Sequence, residues 1–104
     1  MIVNYLLIVI ASIFGSIGQV YFKLSNGLFF SFNFIYGAML YGIATLLYVY
    51  ALKEIPLSIG YPIIALSYIF VSILSHFVLG EPLTIYDILG GAMIITGILM
   101  ITQL

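Results

Sequence analysis

The feature that most constrains this chain is how little of it can ionise. Its 104 residues include two cationic side chains, three acidic ones and one histidine, while hydrophobic residues make up 65%. A water-soluble domain averages about 25% charged residues, and a polar surface cannot be assembled from 5%. The chain must therefore use lipid as its solvent, and its mean hydropathy of +1.38 agrees. The net charge of −1 leaves no electrostatic footprint for nucleic acid. With no cysteine, disulfides, thiolate metal sites and cysteine nucleophiles are excluded. The first apolar run begins Met1-Ile2-Val3-Asn4, without the positive region or small-residue cleavage pattern of a signal peptide, and is expected to be retained.

Three breaker clusters divide the chain: Ser25-Asn26-Gly27 with Ser31 and Asn33, then Lys53-Glu54-Ile55-Pro56, then Gly80-Glu81-Pro82. Between them lie four apolar segments, near 2–24, 33–52, 58–79 and 84–103. Each has about 20 residues, the length that crosses about 30 Å of hydrocarbon. A membrane barrel would need about eight alternating strands, which the pattern lacks. The expectation is an all-α integral membrane protein, a single domain over 1–104 with four transmembrane helices. Four spans place both termini on one side. Lys53 lies on that side and Lys23 on the other, so the positive-inside rule has one lysine against one. Insertion in both orientations and a merely weak signal are both compatible with that balance.

Polar residues inside such segments need a reason. In the first segment Ser12, Ser16, Gln19 and Lys23 fall within an arc of roughly 60° on a helix. Lys23 alone could be a cation complementing a helix C-terminus and snorkelling to the headgroups. Gln19, one turn deeper, must find partners or cost several kcal/mol. Together they predict a polar groove running from mid-membrane to one surface and ending in a cation, which suits an anion such as a phosphate. Glu81 is either a solvated loop carboxylate, paired with Lys23, or a charge that orders Lys23 or meets a cationic substrate group. Thr84-Ile85-Tyr86-Asp87 reads as a capping box. Lys53 and Glu54 read as a solvated turn. His76 has no ligand set around it, so no metal site is expected, and a headgroup-level hydrogen bond is its simplest role. No nucleophile–base pair or phosphate loop appears, and neither an enzyme activity nor a cofactor is expected.

Nine tyrosines and no tryptophan are a skewed aromatic set. Tyr41 and Tyr48 are seven apart on the second segment, on a face with Gly37 and Ala44. Tyr61, Tyr68 and Ser72 form a matching stripe on the third. Mid-membrane tyrosines need partners for their hydroxyls, so these either close contacts inside the bundle or line a cavity. Gly60-Tyr61-Pro62 predicts a loosened turn, because Pro62 cannot donate to the Ser58 carbonyl; it is either a hinge at Gly60 and Pro62 or a fixed kink. Gly90 and Gly97, seven apart with Gly91 beside Gly90, offer a close-approach face for a second chain or for a neighbour within this one.

Four short spans with Gly90 and Gly97 in the last resemble the small multidrug resistance family and the wider drug/metabolite transporter superfamily. "IASIFGSIGQVYFKLS" and "IPLSIGYPIIALSYIFVSILSHFVLGEPLTIYDILGGAMIITG" are more specifically similar, among EamA-like four-helix transporters, to the subunits of the undecaprenyl phosphate-aminoarabinose flippase. The shared elements are Gly18-Gln19 with Lys23, the Gly60-Tyr61-Pro62 opening of the third span, and Glu81-Pro82 before the fourth. Small multidrug exporters carry a buried glutamate in the first span; aligned on Lys23, that position is Gly15 here, and the span holds no acid. A proton/drug antiporter of that mechanism is thus not implied.

The resemblance implies a small-multidrug-resistance-like, dimeric bundle in a bacterial or archaeal cytoplasmic membrane. It implies movement of a polyprenyl-phosphate-linked sugar or related lipid phosphate between leaflets. Lys23 and Gln19 would take the phosphate, with Ser16 and Glu81 in the same substrate-binding set, while Tyr41, Tyr48, Tyr61, Tyr68 and Ser72 accommodate the sugar and the tail stays in membrane lipid between helices. The partner would be a second copy or a related four-helix chain. A cation exporter with its acid supplied elsewhere, or a non-transporting accessory subunit, are the alternatives.

Overall fold

A computed structural model describes residues 2–103; the ends of the expected domain, Met1 and Leu104, lie outside the described residues. The described residues form helices only: α1 (Ile2–Leu24), α2 (Phe32–Ala51), α3 (Leu57–Ile64), α4 (Leu66–Leu79) and α5 (Ile85–Thr102). α3 and α4 form one apolar stretch, so there are four candidate membrane spans: Ile2–Leu24, Phe32–Ala51, Leu57–Leu79 and Ile85–Thr102. At 1.5 Å per residue the shortest, of 18 residues, is about 27 Å long.

The helix ends have local causes. Asn26 (φ 52°) and Gly27 (φ 80°) turn left-handed after α1. The Ser31 hydroxyl accepts from Phe34 N (3.2 Å) and caps α2. Pro56 precedes α3, where a missing N–H costs no helical bond. Gly80 (φ 72°) closes α4 in the left-handed region that a Cβ disfavours. Thr84 and Asp87 form the expected capping box at the start of α5. Pro62 lies inside α3, and the helix breaks one turn later at Ala65, whose N–H reaches back to Pro62 O (3.0 Å) in a tightened turn.

The first span is central. Within it, 39% of the apolar window is buried inside the chain, against 6% in the fourth span. α1 packs against α2 on one side and α3 and α4 on the other; the backbones of α2 and the third span do not come together, and α5 rests only on α3 and α4. The helices thus stand roughly in a row. The Cα extents of 40 × 33 × 17 Å describe a slab, since one helix with side chains is about 10–12 Å across.

Lipid offers no hydrophobic incentive for helices to associate, so close packing of small residues must do it. α1 buries Ala11, Ser12, Gly15, Ser16 and Gly18 on one side. α2 answers with Gly37, Ala44 and Ala51, one every seven residues. The two backbones meet at Gly18 and Gly37. A Cβ on Gly37 would stand 2.9 Å from Gly18 O and 2.8 Å from a Phe22 ring carbon; one on Gly18 would stand 3.0 Å from Gly37 O. At the other end Ile8, Ala51, Ile55 and Ile63 form the buried cluster. Gly60 is buried against it, its missing side chain leaving room for the Leu52 tip, Ile8 and Ile55. Its smallness therefore serves packing, while the break in the third span falls at Ala65.

Gly90 and Gly97 behave differently. A Cβ at either meets nothing within 4 Å, whereas at Gly91 it would touch Ile69 at 3.5 Å. Gly91 carries the intrachain contact and its neighbours face outward. Gly37→Ala is accordingly expected to destabilise the fold by about 1–3 kcal/mol through overpacking against backbone. Gly97→Ala should leave the melting of the isolated chain in detergent unchanged; equal losses from both would contradict this packing.

Candidate functional site

α2 and the third span meet near Ala51 and Ile63, but their backbones otherwise stay apart on either side of α1, and a cleft opens between them. α1 forms its floor with Ala11, Ser12 and Gly15. These small side chains leave a cavity of about 190 Å³. Tyr41, Ala44, Thr45 and Tyr48 of α2 form one wall; Tyr61 and Ile64 of α3, with Ser67 of α4, form the other. Gln19 closes the end toward Lys23.

Most hydroxyls near the floor are already engaged. Ser12 Oγ donates to Ile8 O (3.0 Å). The Ser16 hydroxyl is buried behind the floor, 2.6 Å from Ser12 O and 3.2 Å from Ser67 O, so it ties α1 to α4. Thr45 Oγ1 donates to Tyr41 O (2.9 Å). The Tyr48 hydroxyl is the exception: it is buried and has no hydrogen-bond partner. A buried hydroxyl left unpaired costs about 1–3 kcal/mol, so something must justify it.

Of the residues singled out in the sequence, Gln19, Tyr41, Tyr48 and Tyr61 line this one cavity. Lys23 lies one turn beyond Gln19, exposed at the end of α1 and outside the lining. Ser72 and Tyr68 also fall outside it. The turn at Ala65 separates Tyr61 from Tyr68, which a continuous helix would have kept on one face. Tyr68 instead donates to Asp87 Oδ1 (2.9 Å), while Asp87 Oδ2 accepts from Thr84 N (2.9 Å) and Thr84 Oγ1 (3.0 Å). The Asp87 carboxylate thus joins the fourth span to the third. Glu81 is exposed, and its carbonyl accepts from His76 Nδ1–H (2.9 Å); that bond pins the Gly80–Thr84 connector. Thr45 and Ser67 were missed in the sequence. Thr45 lies four residues after Tyr41 and three before Tyr48, a spacing that could have flagged it.

The cavity offers hydroxyls, an amide and aromatic rings, and no lining residue is charged. It can hold an uncharged polar group inside the membrane, with an exposed cation one turn beyond its end. Since the Tyr48 hydroxyl stands unpartnered, Tyr48→Phe is expected to leave the unliganded protein equally stable or more stable by about 1 kcal/mol. A thermal melt in detergent that moves downward would show the hydroxyl to be bonded.

The chain is 33% identical over 63 residues to a probable 4-amino-4-deoxy-L-arabinose-phosphoundecaprenol flippase subunit of Enterobacter sp. (strain 638), covering 61% of this chain and 59% of that one. It is 35% identical over 72 residues to an uncharacterised protein, y4nH, of Sinorhizobium fredii, covering 68% and 62%. A probable flippase subunit of the same name from Erwinia tasmaniensis is 31% identical over 100 residues, covering 91% of this chain and 93% of that one. The chain thus matches about three fifths of the length of the first two relatives and nearly all of the third. No solved structure matches it. The EamA-like transporter family matches residues 1–103, the whole of the four-span arrangement described above, and this multi-pass membrane protein belongs to that family.

Proposed function

We propose that this chain is a subunit of a flippase that moves a polyprenyl-phosphate-linked sugar, or a related lipid phosphate, between leaflets. The observation that carries the proposal is the uncharged cavity, apolar over most of its lining but bearing tyrosines and an amide, whose Gln19 end leads toward Lys23. The phosphate is held at the membrane boundary by Lys23 and Gln19, with Ser16 fixing the helix behind them and Glu81 at the same end. The sugar enters the cavity among Tyr41, Tyr48 and Tyr61, and the prenyl chain stays in lipid. Tyr68 and Ser72 lie beyond the lining and act at most on the route out of it. The names of the relatives from Enterobacter and Erwinia support this class of cargo.

The same geometry disfavours a cation exporter. The cavity has no carboxylate among its lining residues and α1 contains no acid. An unpaired cation in such a site would bear several kcal/mol of desolvation.

The slab shape and the outward-facing Gly90 and Gly97 support pairing with a second copy or a related four-helix chain through α5. Two slabs would close the cleft that one leaves open. The Pro62–Ala65 turn, with Gly60 packed below it, is where α3 would swing relative to α4 during alternating access.

The proposal is tested by native mass spectrometry of the purified chain with a polyprenyl monophosphate, beside lipid translocation in vesicles. Lys23→Ala should weaken binding by about tenfold or more, the scale of a charge-assisted hydrogen bond. Gly97→Leu should separate paired chains without unfolding them. Normal binding and translocation by folded Lys23→Ala would instead favour the accessory-subunit role.

A further inference from the structure

A second polar site lies at the end of α1 remote from Lys23. The first turn of α1 and the end of α2 border an open groove of about 410 Å³, lined by Val3, Asn4, Tyr50, Lys53 and Glu54. It shares no lining residue with the cleft, so what it binds is independent of the lipid-phosphate reading. The groove brings opposite charges to one place without pairing them. Lys53 Nζ lies over the Tyr50 ring, 5.1 Å from its centroid. Lys53 and Glu54 form no ion pair with each other or with any other described residue. Their turn is held in place: Lys53 N donates to Tyr50 O (3.2 Å), Glu54 N donates to Ala51 O (3.2 Å), and Ala51 and Ile55 on either side are buried.

Asn4 distinguishes the groove from a solvated turn. It is 9% exposed, yet its side-chain amide has no hydrogen-bond partner among the described residues. A nine-tenths buried amide without a partner is costly, and Asn4 lines the groove. An amide donates to a phosphate oxygen and accepts from an ammonium. Val3 and Asn4 also belong to the first turn of α1, whose N–H groups have no intrahelical acceptor and whose dipole favours an anion.

We propose that this groove binds a membrane lipid whose headgroup joins a phosphate to a primary ammonium, such as phosphatidylethanolamine. Lys53 and the Asn4 amide take the phosphate, and Glu54 takes the ammonium. Exposed Val3 and Tyr50 continue the groove onto the apolar flank of the first two spans, where the acyl chains lie. That continuity is what favours a lipid over a soluble ligand. A purely anionic headgroup would set its charge beside Glu54 with no cation of its own to offset it. A quaternary ammonium has no N–H to donate to Glu54, and the Tyr50 ring that would attract one already carries Lys53.

The test uses the full chain in mild detergent. Native mass spectrometry reads the binding of phosphatidylethanolamine, phosphatidylcholine and phosphatidylglycerol with identical acyl chains. Phosphatidylethanolamine should bind about fivefold more tightly than either of the others, the scale of one partly exposed charge contact. Lys53→Gln should weaken phosphatidylethanolamine and phosphatidylcholine alike. Glu54→Gln should bring phosphatidylethanolamine down to phosphatidylcholine and raise phosphatidylglycerol. Asn4→Leu should weaken phosphatidylethanolamine binding while the delipidated protein melts no lower. Equal affinities for the three lipids, or a preference for phosphatidylglycerol, would overturn the headgroup assignment. A preference that survives Glu54→Gln would remove Glu54 from it, and a lower melt of Asn4→Leu would show the amide to be bonded within the chain. Displacement of the lipid by an equal concentration of water-soluble glycerophosphoethanolamine would assign the groove to a soluble ligand instead.

Discussion

The contact of α1 with α2 at Gly18 and Gly37 is the constraint from which the rest of the arrangement follows. A Cβ on either glycine would stand about 3 Å from the carbonyl oxygen of the other. In lipid, where apolar side chains gain nothing by leaving the solvent, such backbone proximity is what allows dispersion to hold two helices together. It fixes α2 against one side of α1 and leaves the other side for α3 and α4. The cleft between α2 and the third span exists because both lean on α1 while their backbones stay apart.

The polar side chains divide by task along this framework. Ser12, Ser16 and Thr45 satisfy carbonyls, and Ser16 also reaches across to Ser67 O. Tyr68 and Asp87 join a fourth span that is otherwise thinly packed. What remains unpaired and buried among the described side chains is the Tyr48 hydroxyl, on a residue of the lining. In a hydrocarbon environment such a group is a departure from structural economy, and its residue lines the cavity that brings Tyr41 and Tyr48 of the second span to Tyr61 of the third. The cleft above the small floor stays open in the single chain, and Gly90 and Gly97 of the fourth span face outward.

Much of this was legible in the sequence. The four spans follow from apolar length, and their ends from Asn-Gly, Pro56, Gly80 and the Thr84–Asp87 cap, all local signals. The polar stripe of α1 could be recognised because Ser12, Ser16, Gln19 and Lys23 share one helical face. The Gly18–Gly37 contact was not legible, since no local signal says which of ten glycines meets which. Nor was the separation of Tyr61 from Tyr68: the i, i+7 rule holds only while the helix is continuous, and Pro62 breaks the phase at Ala65. Tyr68 was further claimed by Asp87, a partner nineteen residues away that also serves as a helix cap.

The sequence by itself determined that this chain crosses a membrane four times, because a chain with 5% charged residues has no alternative solvent and its breakers are spaced one bilayer apart. It also determined that one face of the first span must meet something other than lipid. Only the tertiary structure decided what that is. Which tyrosines converge, which hydroxyl is left without a partner and which glycines face outward depend on the relative height and rotation of helices. Those are set by close packing between distant small residues, and helical periodicity fixes the faces of each helix without fixing the neighbour each face will meet.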